Sequence, residues 1–268
     1  MIKINGFRVD VGNFPDGTLL VKLDKVFQDE VDTFKVIKYR WDYESDNELF
    51  TLICLRRHFE KSSKSHILYL PYVPHARMDR VKNTGDVFTL KYFCEVINSL
   101  NFDKVVVRDP HSNVTTALLE NVQCEDMKYW FDDLLDRVDN GNLVLFYPDE
   151  GAMKRYSEMI QGYPYAFGVK KRNWETGQIE GLALVHGNIV KGKDILIIDD
   201  ICSYGGTFLH SAKALKEAGA VNISLYVTHL EANVLKGEMY SSGLINKIYT
   251  TPSITQAVPE GIENIVVL

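Results

Sequence analysis

Residues 194–220 read DILIIDDICSYGGTFLHSAKALKEAGA, and this stretch decides the fold. An apolar run, ILII, ends in two adjacent carboxylates, Asp199 and Asp200. A turn rich in glycine follows, then a segment with apolar residues at helical spacing that closes on Gly219, a good helix C-cap. Two neighbouring carboxylates repel each other unless solvent, a cation or hydrogen-bond donors compensate. A sugar's vicinal hydroxyls would serve, and so would Mg²⁺, which prefers oxygen ligands and keeps several waters. Gly205 and Gly206 let the chain turn tightly. Ser203, Thr207 and the N–H groups of the turn can then hold a phosphate at the helix N-terminus, where the helix dipole favours negative charge. The chemistry suggested is a ribose 5-phosphate unit, with hydroxyls on the aspartates and phosphate in the turn. An ordinary strand–turn–helix with aspartates in the turn also fits the same letters.

Outward from that stretch, the sequence repeats the pattern. HILYLPY (66–72), KVVVRD (104–109), NLVLFYPD (142–149) and NISLYVTH (222–229) read as further strands buried on both faces. Helical spacing occupies 46–61, 87–100, 150–163 and 207–220. Strand–helix alternation predicts an α/β fold with mainly parallel sheets flanked by helices. It occurs twice, over roughly 66–125 and 142–230, around a polar interval, ENVQCEDMKYWFDDLLDRVDNGN (120–142). Two domains are therefore expected, 1–125 and 126–268. Ligands of open α/β sheets bind beyond the carboxyl ends of the strands. Arg108–Asp109, Asp149–Glu150, Asp199–Asp200 and Thr228–His229 all stand at such ends.

Composition bounds the partners. The 268 residues carry a net charge of −6, with 46% hydrophobic and 25% charged side chains, as in ordinary globular proteins. No dense Lys/Arg tract appears, which argues against nucleic acid as a partner. No apolar run approaches the ~18 residues of a membrane span, and the N-terminal MIKINGFRVD lacks the apolar core of a signal peptide, so a cytoplasmic location is expected. Cys54, Cys94, Cys124 and Cys202 are widely spaced, which fits neither a zinc site nor a disulfide framework.

Apolar strand, Asp-Asp, short spacer and Gly-Thr resemble the sugar-diphosphate signature of type I phosphoribosyltransferase folds. Further segments resemble one family, the ribose-phosphate pyrophosphokinases. They are NFPDGT (13–18), LPYVPHARMDR (70–80), VVVRDPHSNVTTALLENV (105–122), YPDEGAMKR (147–155), VKKRNWETGQIEG (169–181) and VTHLEANVLKGEMYSSGLINKIYTTPSI (227–254). The resemblance implies two tandem phosphoribosyltransferase-like domains, the first binding ATP and the second the sugar phosphate. It implies transfer of the β,γ-diphosphate of ATP to an anomeric hydroxyl, with Mg²⁺ as cofactor. Arg77 and Arg80 would clamp ATP phosphates, and Asp109 would lie beside them. His111 would bind a metal ion or an ATP phosphate. Lys170 and Arg172, on what the family carries as a flexible loop, would stabilise the transition state. Asp149 would serve the sugar and metal region. Asp199, Asp200, Ser203, Tyr204, Gly205, Gly206 and Thr207 would hold the sugar phosphate. Phe14 would stack on adenine while Asp16 accepts from its amino group. In the family that loop reaches a neighbouring subunit's site, which implies a homo-oligomer, a dimer or a hexamer.

The chain also departs from the family. Ser203 and Tyr204 stand where Asp-Thr is usual, Thr18 stands for Glu, and Met78 for Gln. These departures resemble a phage branch whose acceptor is ADP-ribose and whose product, ADP-ribose pyrophosphate, is joined to nicotinamide to rebuild NAD⁺. Tyr204, or Trp174 in the loop, could stack on the extra adenine. ADP-ribose is thus the favoured acceptor, with ribose 5-phosphate as the alternative. A base-transferring phosphoribosyltransferase and a non-catalytic regulatory homologue are the remaining readings. The first has no need of the segments 13–18 and 70–80, and the second none of His111, Lys170, Arg172, Asp199 and Asp200.

Overall fold

A computed structural model describes residues 1–23, 25–172, 179–255 and 258–268. The chain divides into two compact units, Met1–Asp126 and Met127–Leu268.

The first unit runs β1 (Ile2–Ile4), β2 (Phe7–Arg8), β3 (Val11–Asn13), β4 (Leu19–Val21), α1 (Lys25–Thr33), β5 (Val36–Trp41) and α2 (Asn47–His58). It continues with β6 (Ser65–Leu70), α3 (Thr89–Ser99), β7 (Lys104–Val107), α4 (Asn113–Leu118) and β8 (Val122–Cys124). Its main sheet has the order β2-β1-β5-β6-β7-β8. From β5 to β8 neighbouring strands are parallel, whereas β1 and β2 add antiparallel pairs at one side. Tyr39, Trp41, Leu68, Leu70, Val105 and Val107 project from this sheet into one core. Val36–Trp41 forms no unbroken apolar run, because Lys38 and Arg40 alternate with its buried residues. β3 and β4 form a separate two-stranded sheet.

The second unit runs α5 (Lys128–Val138), β9 (Leu143–Tyr147), α6 (Glu150–Tyr156), β10 (Tyr165–Arg172), β11 (Ile179–Val185), β12 (Asp194–Cys202), α7 (Gly206–Glu217), β13 (Ile223–Leu230), α8 (Glu238–Ser241), β14 (Lys247–Thr250) and β15 (Ile265–Val267). Its sheet has the order β11-β10-β9-β12-β13-β14-β15 and is parallel except for the β10–β11 pair. Strand parity fills both faces. Ile195 and Ile197 of β12 pack with Phe208, Ala212 and Leu215 of α7. Leu196 and Ile198 pack on the opposite face with Phe131 and Leu134 of α5 and Tyr156 of α6. Such two-sided burial is what the apolar run at 195–198 predicts.

Two segments carry more regular structure than their polar letters suggest. The polar interval at 120–142 contains β8 and α5, and α5 turns Phe131 and Leu134 into the core while its acids face outward. Lys170 and Arg172 lie on the outer part of β10: the strand pairs with β9 at 165–167, and Lys170 to Arg172 pair with β11.

Candidate active site

In the first unit the candidate residues follow the carboxyl ends of two adjacent parallel strands. β6 ends at Leu70 and leads into 71–80; β7 ends at Val107 and leads into 108–112. Asp79 is buried, and Arg80 lays its guanidinium along it, Nε donating to Oδ1 at 2.9 Å and Nη2 to Oδ2 at 3.4 Å. Burial pushes the Asp79 carboxyl up, but the Arg80 hydrogen bond and the charges of Arg80 and His111 outweigh it and hold the group below its usual range. The structure therefore brings Asp79, Arg80 and His111 together. Arg77 is exposed in the same segment. Asp109 is buried with φ at 37°, a left-handed backbone that Asp tolerates better than most residues. Its neighbour Arg108 turns inward instead, donating to Glu125 Oε2 at 2.9 Å, and has a structural role. Sequence reasoning alone does not assign Asp79 to the site; its signal is the Asp-Arg dipeptide that closes the segment.

Phe14 and Asp16 cap the β3–β4 hairpin. Thr18 donates its backbone N–H and its hydroxyl to Asp16 Oδ1, at 3.0 and 2.7 Å. These two bonds hold the Asp16 carboxyl below its ordinary range. Asp16 thus makes the turn that Pro-Asp-Gly favours, with Gly17 at φ 84°. Phe14 stands 50% exposed on this turn, which sets its ring free of the core and available for stacking.

In the second unit four strand-end features converge. Asp149 caps α6, its Oδ1 accepting from the N–H groups of Gly151 and Ala152 at 3.0 and 3.1 Å. Expected as a metal ligand, Asp149 commits this oxygen to the cap. Asp199 and Asp200 lie near the end of β12, and as neighbours on a strand they point to opposite faces. Burial first, then the neighbouring Asp200 and Asp149 carboxylates, raise Asp199 well above the ordinary carboxyl range. Arg155 of α6 answers from the other side, its Nη1 3.7 Å from Asp200 Oδ2. Sequence reasoning alone does not assign Arg155 to the site; its signal is an Arg at the end of the segment 147–155, on the helix that Asp149 starts.

Beyond the acids the chain turns through Ser203 and Tyr204 into α7. Gly205 is the N-cap at φ 81°, and no side chain caps the helix. The first N–H groups of a helix have no intrahelical partner. At α6 the Asp149 side chain supplies one; at α7 no side chain does, a geometry that suits an anion. Gly206 and Thr207 are exposed there, and Tyr204 stands 57% exposed. Behind them, the hydroxyls of Thr251 and Ser253 donate to the Thr228 carbonyl, each at 2.9 Å, and His229 Nδ1 lies 2.9 Å from Ser253 Oγ. This buried knot fixes the ends of β13 and β14. The side chains of Lys170 and Arg172, and all of Trp174, lie outside the described residues; the backbones of the two basic residues lie on β10.

A parallel sheet, paired acids at a central strand end, and a glycine turn onto an uncapped helix define a phosphoribosyltransferase-type domain. Residues 126–251 match the family described as phosphoribosyl transferase domain. Over 97% of this chain and 85% of the other, the fold follows phosphoribosylpyrophosphate synthetase from Mycobacterium smegmatis, with a TM-score of 0.75 at 18% identity. The ribose-phosphate pyrophosphokinase of Hyphomonas neptunium is 26% identical over 256 residues, 92% of this chain and 79% of that one. That of Campylobacter jejuni subsp. jejuni is 27% identical over 265 residues, 96% of this chain and 82% of that one. These similarities run along most of the chain and support an enzyme of the diphosphotransferase class. Among the described residues no helix is long and apolar enough to cross a membrane.

Proposed function

We propose that the protein transfers the β,γ-diphosphate of ATP to the anomeric hydroxyl of a ribosyl 5-phosphate compound. The C1 hydroxyl oxygen bonds to the β-phosphorus, the bond from that phosphorus to the bridging oxygen breaks, and AMP leaves with the electron pair. The hydroxyl proton passes to solvent. Little covalent chemistry is asked of the protein, so its work is positioning and charge stabilisation. Arg77 and Arg80 are assigned to the ATP phosphates, with Asp109 and His111 beside them. Asp199 and Asp200 take the ribose hydroxyls, the turn from Ser203 to Thr207 takes the 5-phosphate, and Lys170 and Arg172 steady the diphosphate in flight. Phe14 and Asp16 are assigned to adenine, in a neighbouring copy of the chain, because their hairpin stands on its own small sheet with Phe14 exposed.

Mg²⁺ enters as part of the ATP substrate. Among the described residues no cluster of three or more His, Cys, Asp or Glu forms a metal cage. The Asp199–Asp200 pair nevertheless suits Mg²⁺, which takes one or two carboxylates and fills its shell with phosphate oxygens and water. The raised Asp199 carboxyl marks charge that a cation would relieve.

The observation that carries this reading is the juxtaposition of the acid pair with the uncapped start of α7. The named relatives favour ribose 5-phosphate as the acceptor, ahead of the ADP-ribose that the turn's departures suggest. The exposed Tyr204 ring keeps ADP-ribose as a second reading, since it offers a stacking face beside the 5-phosphate turn. The purified protein should be given Mg-ATP with each acceptor and the products identified by mass. Diphosphorylated ribose 5-phosphate with AMP is the expected result. Diphosphorylation of ADP-ribose alone would transfer the assignment to the second reading, and no AMP with either acceptor would overturn both.

A further inference from the structure

The turn that carries the proposed 5-phosphate site rests on a glycine far along the chain. Gly237 lies between the 3₁₀ turn Ala232–Lys236 and α8, with φ −82° and ψ 147°. Any residue adopts that backbone, so conformation does not call for glycine here. Space does: a Cβ on Gly237 would sit 1.9 Å from the Tyr204 carbonyl oxygen and 2.8 Å from its carbonyl carbon. Both are backbone atoms, and no rotamer change could relieve the clash. The contact is reciprocal along the same wall. Gly205, at φ 81°, would carry a Cβ 2.6 Å from Met239 Sδ and 2.9 Å from Met239 Cβ. Met239 is itself buried. Tyr204 and Gly205 therefore lie pressed against Gly237 and Met239, and the depth of the turn is set by that wall.

We infer that Gly237 is a positioning residue for the acceptor's phosphate. It touches no ligand. By lacking a side chain it lets the Tyr204 carbonyl lie back, and this aims the N–H groups of Gly205, Gly206 and Thr207 into the 5-phosphate site. The inference rests on the reading of that turn as the phosphate site. A methyl group at 237 would push the Tyr204 carbonyl, and the donors after it, forward by about 1 Å, and a displacement of that size costs on the order of 100-fold where geometry is demanding. The residues assigned to ATP phosphates lie in the first unit, so ATP serves as an internal control.

The test compares wild type, Gly237→Ala and Met239→Ala by melting, by calorimetric titration with ribose 5-phosphate and with ADP-ribose, and by steady-state KM for acceptor and ATP. Gly237→Ala is expected to stay folded, to bind the acceptor roughly 30-fold to 100-fold more weakly, and to keep its KM for ATP within about twofold. Acceptor affinity unchanged in folded Gly237→Ala, or an equal loss for ATP, would overturn the inference. Should Gly237→Ala fail to fold, Met239→Ala decides, because it removes atoms behind Gly205 instead of adding them. A raised acceptor KM at constant ATP KM is then expected, and an unchanged acceptor KM overturns it. If wild type binds neither acceptor, the phosphate reading of the turn falls and this inference falls with it.

Discussion

Arg155 Nη1 stands 3.7 Å from Asp200 Oδ2, and the two side chains are only 21% and 7% exposed. The pair links the helix after β9 to the end of β12. A surface pair contributes about 0–1 kcal/mol, while removing one partner of a buried pair costs ~3 kcal/mol or more. At this separation and exposure, Arg155→Met should cost ~1–3 kcal/mol in urea unfolding. If Asp200 holds the sugar, the change should also weaken acceptor binding, since the carboxylate then loses this cation. Unchanged unfolding and unchanged acceptor KM together would show that the pair contributes nothing.

Asp199 makes stability fall as pH rises. Its folded carboxyl holds the proton more tightly than the ordinary ~3.9 of an unfolded Asp, through burial and through Asp200. The folded state is thus favoured below pH ~4, and that favour is lost as pH climbs through the raised folded value. Asp199→Asn removes the ionisation. We expect the variant to melt higher than wild type at pH 8 and the gap to close towards pH 4, measured without ligand. A gap that is constant with pH would mean that Asp199 titrates normally.

Asp149 permits a separation of capping from charge. Its Oδ1 accepts two backbone N–H groups at the start of α6. Asp149→Ala should cost about 0.5–2 kcal/mol of stability. Asp149→Asn keeps an oxygen acceptor at the cap and should melt close to wild type, while losing activity if its carboxylate serves the sugar or metal. An Asn variant as unstable as the Ala variant would show that the charge, and not the acceptor, holds the helix.

The second unit's architecture was legible because its central strands are apolar on both faces: Ile195–Ile198 of β12 admit no other reading. What was hidden obeys a pattern. β5 alternates Lys38 and Arg40 with buried Ile37 and Tyr39, so its run is broken to the eye. α5 places Phe131 and Leu134 among Asp132, Asp133 and Asp136, and the acids outweigh the stripe. β10 ends in Lys170, Lys171 and Arg172, which read as a solvated loop until their pairing with β11 is seen. In the site, the acid pair and the glycine turn announce themselves locally. Arg155 and Gly237 do not, since one acts across two elements and the other by having no side chain.

Lys170 carries the last prediction. Its backbone pairs with Leu182 in the β10–β11 hairpin, so the strand geometry of residue 170 is held by main-chain hydrogen bonds that a substitution at its side chain leaves intact. Lys170→Ala should therefore leave the melting temperature close to wild type. If its ammonium meets the diphosphate as charge shifts from the bridging oxygen, one such preorganised contact is worth ~3 kcal/mol, or on the order of 10²-fold in kcat. The loss should appear in kcat and kcat/KM alike, because the contact is made in the transition state and not in the ground state. A raised acceptor KM at unchanged kcat would instead make Lys170 a binding residue. Wild-type kinetics throughout would remove it from the reaction and leave Arg172 as the residue proposed for that role.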